Sequence, residues 1–440
     1  MSAAIDIDVG KLVEPDRVHR SVYTDPAIFE LEMERIFENT WIYVGHDSQV
    51  PNSGDYYAAA IGRQPVIMIR HTDDEVKVLY NRCAHKGSML VGDTSGNVKQ
   101  FSCAYHGWCY DTDGSLKSIP WEKGYDGTRF DRNDPQSSMR SVARVGCYRG
   151  FVFASLSPDG PELGQWLAGV DSSIDNLVDR APAGDLEITG GVLRYLHDSN
   201  WKFFVENLND AMHPMRVHQS SSMTARITAK KMLPEDAPAP AAIEILAPFT
   251  SDYSFMDKMG LHAFDNGHSY TGGKISIHSA YSDIPDYIEA MESAYGPERT
   301  EEIFSENRHN TVFYPSLTIK GAIQTIRVVR PIAVDRTLIE SWTFRLKGAP
   351  DEMLQRSILY CNLINSSANL VGPEDYEAYH RQQHGLVSQG TDWVLMYRNL
   401  GEEEKLDDGG CTAIGTSDIA FRNQFVAWKN YMSNAGKKSA

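Results

Sequence analysis

Two short segments constrain this chain more than any others: Cys83-Ala84-His85 and, seventeen residues on, Cys103-Ala104-Tyr105-His106. As a pattern they read C-x-H…C-x-x-H. Gly87 follows the first pair and Gly107 the second, so each pair sits in a turn. Two thiolates and two imidazoles offered from two loops can hold one metal centre. One option is a tetrahedral structural zinc. The other is a Rieske [2Fe–2S] cluster, with two Cys on one iron and two His on the other. Zinc sites commonly pair Cys with Cys and His with His. Here each loop supplies one of each, so each loop can reach both irons. The spacing favours the cluster over zinc.

With 440 residues the chain is long enough for two or three domains. No run approaches the roughly 18 apolar residues of a membrane span. The opening residues lack the basic start and apolar core of a signal peptide. Six Cys are too few for a disulfide scaffold, so Cys109, Cys147, Cys361 and Cys411 are expected to be free thiols in the cytoplasm. The net charge of -17, with no compensating basic run, argues against a nucleic-acid partner. Arg82, Lys86 and Lys99 gather near the first loop. They read as ordinary surface charge or as a docking patch for an acidic electron donor.

Residues 26–40 carry Ile28, Leu31 and Ile36 at helical spacing, with Phe29, Met33 and Phe37 beside them. Pro26 suits a first turn. This predicts an amphipathic helix ending before Trp41. From there to about 160 short β runs alternate with turns. Pro65–Arg70, Val76–Tyr80 and Gly150–Leu156 are runs of this kind, and Ser157–Pro161 reads as an exit linker. The expected class is α+β: an N-terminal helical segment (1–43) packing with the catalytic domain, a small all-β cluster domain (44–160), and a larger α+β domain (161–440). The larger domain includes the strands Gln324–Arg330 and Leu338–Phe344. The small-residue end after Asn434 is expected to fray.

A second constellation lies in Asn200-Trp201-Lys202 through His218. Its core is D-x-x-H-x-x-x-x-H, formed by Asp210, His213 and His218. On a helix Asp210 and His213 would share a face. His213 and His218 are five apart and would not, unless Pro214 bends the chain. Two His and one carboxylate form the facial triad of non-haem Fe(II) oxygenases. Spacing cannot choose the carboxylate among 59 acidic residues.

With both motifs in this order, the chain resembles the α (large) subunits of Rieske non-haem iron aromatic-ring-hydroxylating dioxygenases. The match runs over nearly the whole chain. It includes Gly107-Trp108 and the Asn200-Trp201-Lys202 lead-in. The resemblance implies a small all-β Rieske domain and a catalytic domain whose antiparallel sheet is flanked by helices, helix-grip-like. It implies that Cys83, His85, Cys103 and His106 bind the [2Fe–2S] cluster. His213 and His218 would bind a mononuclear Fe(II), and Asp375, within Gly372-Pro373-Glu374-Asp375-Tyr376-Glu377, is the matching third ligand. Asp210 resembles the family's bridging aspartate, here linking His213 to His106 of a neighbouring subunit. The short spacing from Glu206-Asn207 to Asp210 is similar to the salicylate and terephthalate branch rather than the naphthalene and biphenyl enzymes.

The implied function is ring hydroxylation of an aromatic substrate, as a dihydroxylation or to a phenol. It would use O₂ and electrons from NAD(P)H through a reductase or ferredoxin. A small β subunit and an α3β3 or α3 assembly are implied partners. An aromatic carboxylate would need a cationic clamp, and Arg327 and Arg330 are candidates, with Asn207 as a further substrate contact. The alternatives are a Rieske monooxygenase or demethylase and, from a different class, a Rieske electron carrier fused to a non-catalytic module.

Overall fold

The structure, a computed structural model, describes residues 8–434 apart from 235, 236 and 238. The expectations for the first residues and for the end after Asn434 fall outside them. Two compact units emerge. Phe37–Leu163 form one, and the described residues on either side form the other. The sequence reading began the β domain at 44. In the structure Ile42–His46 already pairs antiparallel with Phe151–Ser155.

The smaller unit is built from antiparallel sheets. Strands Asp55–Ile61, Gln64–Thr72, Glu75–Tyr80 and Ser95–Asn97 form a four-stranded sheet. Arg144–Tyr148, Phe151–Ser155 and Ile42–His46 form a second, and three short strands between Phe101 and Ser118 a third. Alternation drives this. Ile67, Ile69 and Leu79 are fully buried in one core with Phe101, Trp108 and Tyr110, and Cys83 and Cys103 belong to the same core. Each such apolar side chain contributes about 1.5–3 kcal/mol on burial.

In the larger unit, α1 (Pro26–Glu32) starts at Asp25, whose side chain accepts the Ala27 N–H, with Pro26 in the first turn. The expected helix continues past Glu32 as a π-type turn, Met33–Phe37, which keeps Met33, Ile36 and Phe37 buried. Nine strands make one antiparallel sheet. They are β1 (Leu186–His197), β2 (Leu261–Ala263), β3 (Ser269–Thr271), β4 (Asn310–Phe313), β5 (Leu317–Lys320), β6 (Thr325–Ala333), β7 (Arg336–Leu346), β8 (Glu404–Lys405) and β9 (Cys411–Ala413). Their spatial order is β1-β7-β6-β5-β4-β3-β2-β9-β8. The site-bearing helices are α2 (Trp201–Leu208), α3 (Pro214–Val217) and α4 (Val371–Gly385), and α5 (Ile419–Asn434) ends the described chain. No helix among the described residues is long and apolar enough to cross a membrane. All six cysteines are free.

Glu32 is an apolar-face position that the helical pattern did not flag, because its neighbours there are hydrophobic. Its carboxylate is fully buried. It accepts from Lys202 Nζ at 2.6 Å, Trp201 Nε1 at 2.9 Å and Trp428 Nε1 at 2.7 Å. Removing one partner of a buried pair leaves the other charge uncompensated. Glu32→Ala is therefore expected to lower stability by about 3–5 kcal/mol, read as a lower midpoint in urea unfolding followed by tryptophan fluorescence. Adding Lys202→Met should recover part of the loss.

Candidate metal centres and substrate cavity

The two cluster loops share one hydrogen-bond scheme. Cys83 N–H donates to Ser88 O and Gly87 N–H to Cys83 O, while Cys103 N–H donates to Trp108 O and Gly107 N–H to Cys103 O. Both glycines have positive φ, +77° and +70°, which makes the tight return possible. A Cβ on Gly107 would also meet Pro120 at 2.9 Å. Asn81, unremarked in the sequence, is buried. It fastens the first loop by bonds to Val91 O and to the N–H groups of Leu90 and Val91.

The four side chains fit the cluster on several observations. Cys83 and Cys103 are buried, and the His85 and His106 rings lie 4.7 Å apart. His85 stacks on Trp108 at 4.9 Å, and its buried Nδ1 has no hydrogen-bond partner. A buried nitrogen left in that state suits a metal donor. Burial works to raise the Cys103 thiol. The N–H groups of Tyr105 and His106 outweigh it and hold the thiol below its ordinary value. Ala84 N–H donates to the Tyr110 hydroxyl at 3.1 Å, leaving the Tyr110 proton for Cys83 Sγ, also at 3.1 Å. Among the described residues the one group of three such donors within 4.8 Å of each other lies elsewhere. The two Cys and two His of the loops, one of each per loop, are a donor set that suits a [2Fe–2S] cluster.

That compact group is His213, His218 and Asp375. The expected shared helix face of Asp210 and His213 does not exist. Helix α2 stops at Leu208, whose carbonyl accepts from Asn310 Nδ2. Asn209 is tied to the sheet through Ser269 and Thr271. Asp210 then sits in a turn, its Oδ1 accepting the Met212 and His213 N–H groups. Short polar side chains compete with the helix in this way. Pro214 opens α3 immediately after His213, and His218 follows α3. This break between the two imidazoles brings their rings to 5.3 Å.

On α4, adjacent carboxylates point to different sides. Asp375 Oδ1 lies 3.3 Å from His218 Nε2 and 3.6 Å from His213 Nε2. Glu374 stands behind His218, accepting from its Nδ1 at 3.0 Å and from the hydroxyls of Ser220 and Ser221. The bond fixes the proton on Nδ1 and leaves the His218 Nε2 lone pair for a metal. Asn207 Nδ2 lies 3.1 Å from both His213 Nε2 and Asp375 Oδ1. Asp210 Oδ2 is 3.7 Å from His213 Nδ1, an electrostatic contact rather than a hydrogen bond. Burial works to raise the Asp210 carboxyl, but His213 and the two N–H groups hold it below the usual carboxylate value. Glu206, four residues before Asp210, behaves oppositely. Burial pushes it up to about 8, against the Tyr23 hydroxyl bonded to it.

A cavity open to solvent adjoins the donor group. Asn207, Asp210 and Arg327 line it, with Phe249, Met256 and Ile277 as apolar wall. Arg327 Nη2 donates to Asn310 Oδ1 at 3.0 Å. Arg330 does not reach the cavity. Three residues along a strand turn it to the opposite face, where it pairs with Glu340 at 2.7 Å beside Arg194. Glu374 and the cavity-lining Lys320 carried no separate signal in the sequence. Which carboxylate faces the imidazoles, and which strand positions face the cavity, are fixed by register.

Comparison with known proteins agrees with this architecture. Residues 40–131 match the Rieske [2Fe-2S] domain, and residues 186–405 match the ring hydroxylating alpha subunit (catalytic domain). Toluate 1,2-dioxygenase subunit alpha of Pseudomonas putida is 32% identical, over 87% of this chain and 83% of its own. Biphenyl 2,3-dioxygenase subunit alpha of Rhodococcus jostii (strain RHA1) is 32% identical, over 98% and 92%. The solved structure of naphthalene 1,2-dioxygenase with indole bound in its active site shares the fold at a TM-score of 0.80, with 22% identity, over 96% and 93%. The chain belongs to the Rieske non-haem iron ring-hydroxylating oxygenases, as a large (alpha) subunit. A [2Fe–2S] cluster and a mononuclear non-haem iron are the cofactors of that family's two domains. The electron carrier fused to a non-catalytic module is thereby set aside.

Removing Glu374, which supports a donor without being one, is expected to weaken iron binding about 10–100-fold. Competition of Glu374→Ala protein with an Fe(II) chelator measures this, with the cluster's visible absorption unchanged as control. Asp375→Ala should lower bound iron from about three to about two atoms per chain.

Proposed function

We propose that this chain is the terminal oxygenase component that hydroxylates the ring of an aromatic carboxylate, with Cys83, His85, Cys103 and His106 holding the cluster and His213, His218 and Asp375 the mononuclear iron. The observation that carries the reading is one cavity with the His213/His218/Asp375 donors at one wall and the Arg327 guanidinium in its lining. When bound, the cluster supplies single electrons and the mononuclear iron activates O₂. The protein's own part is positioning. The apolar wall holds the ring and excludes water, Arg327 takes the carboxylate as a charge-assisted pair, and Asn207 stands between substrate and donors. Toluate, an aromatic acid, names one relative, and biphenyl, a hydrocarbon, names another, so the preference for an acid rests on Arg327.

Electrons come from NAD(P)H through a reductase or ferredoxin, and a small β subunit completes an α3β3 assembly (or the chain forms α3 alone). The exposed Arg82, Lys86 and Lys99 suit an acidic donor. Asp210 links His213 to His106 of a neighbouring copy. In support, His106 is exposed, and the Asp210 side chain keeps 27% of its surface open while its other side faces His213.

The test is product analysis with a reductase and NADH over neutral and carboxylated aromatics. A cis-dihydrodiol or phenol from an aromatic acid supports the reading, and formaldehyde from a methoxy or N-methyl substrate alone would replace it with a demethylase. In the same assay Asp210→Asn should keep both metal centres and lose at least about 100-fold in turnover, in line with other groups that orient a metal ligand. Normal product formation would remove the bridging role.

A further inference from the structure

A second basic side chain, Lys320, lines the cavity with no carboxylate at ion-pair distance among the described residues. The register Thr318↔Arg327 and Lys320↔Thr325 sets Lys320 and Arg327 on one face of β5 and β6 as diagonal neighbours. Such diagonals lie about 7–8 Å apart, a gap that two long side chains can close around one anion. Lys320 is 6% exposed and lines the cavity. Its Nζ donates to the Tyr360 hydroxyl at 2.9 Å and lies 3.3 Å from His309 Nε2. Among the described residues, no Asp or Glu oxygen lies within 4.0 Å of Lys320 or Arg327.

Burying an ammonium without an opposite charge is costly. Burial and the Arg327 charge accordingly hold Lys320 well below its usual range. An arriving anion would reverse both effects. The hydrogen bonds around it are already directed for that. An ammonium has donors only, so Tyr360 and His309 Nε2 accept from it. The Tyr360 proton is then free to donate, and the proton of neutral His309 sits on Nδ1, which is buried with no partner. Phe249, Met256 and Ile277 supply the apolar part of the same cavity's lining, a surface for the ring of an acid whose carboxylate meets this cluster.

We propose that Lys320, with Tyr360 and Arg327, forms an anion pocket that takes the carboxylate of an aromatic acid and so decides which substrates enter and which way round the ring lies. The inference rests on reading the cavity as the substrate site of a ring oxygenase.

The test is calorimetric titration of the anaerobic holoenzyme, without reductase, with benzoate and with benzamide, its neutral counterpart of the same shape. Wild-type protein is expected to bind benzoate at least about tenfold more tightly, the scale of one charge-assisted contact. In Lys320→Met the ratio should fall to near unity, and in Tyr360→Phe it should fall severalfold. A wild-type ratio near unity, or a ratio unchanged in Lys320→Met, overturns the pocket. If Lys320→Met does not fold, the wild-type ratio and Tyr360→Phe decide. Hydroxylation of a neutral arene without any benzoate preference keeps the oxygenase reading and overturns the pocket. A Lys320-dependent benzoate preference in a protein that hydroxylates no arene does the opposite.

Discussion

The carboxylate of Glu32 is closed off from solvent and receives hydrogen bonds from Trp201, Lys202 and Trp428. Three distant parts of the chain meet there: α1 near the start, α2 before the iron motif, and α5 at the end. A charged buried network of this kind is favourable only when every member is satisfied. Satisfied, it fixes the start of α2. Asn310 and Asn209 fix its other end against the sheet. Asp210, His213 and His218 hang from that end, so their positions follow from a carboxylate 178 residues earlier in the chain. The turn that carries Asp210 and His213 thus follows a helix fastened at both ends.

The sheet sorts charge by parity. On β6, Arg327 faces the cavity and Arg330 faces away, where Glu340 pairs it with Arg194. Lys320 on β5 shares the face of Arg327. The outward arginines share the Glu340 carboxylate, whereas among the described residues no carboxylate oxygen lies within 4.0 Å of Arg327 or Lys320. Two basic side chains on one face of the cavity, with no carboxylate at ion-pair distance among the described residues, suit a ligand that brings its own negative charge.

The turns that carry the two Cys/His pairs were legible in the sequence. Cys, His and Gly at fixed offsets carry their geometry with them, because a tight return needs a positive φ at Gly87 and Gly107. His213 and His218 were legible as a pair, yet the local geometry was not. The helical face assigned to Asp210 gave way to a turn because Asn209 and Asp210 bond the backbone and sheet instead of continuing α2. Arg327 and Arg330 looked alike in the sequence, and strand alternation separates them. Glu32 and Lys202 were invisible as partners, since nothing local links residues 170 positions apart. Lys320 closes an otherwise uncharged strand, Leu317–Lys320, and acquires meaning only once the register with β6 is known.

The chain leaves the larger unit after Ile36 and returns to it at Gly164. Every residue of the smaller unit is therefore synthesised before Trp201. The smaller unit can fold on emergence, as domains generally do, whereas α1 must wait for α2 and then for Trp428. Throughout synthesis of the intervening residues the charged face of α1 has no acceptor or donor to close on. The threading thus orders assembly: the smaller unit is complete in the chain before α2, and the bonds to Glu32 are complete only once Trp428 has been added.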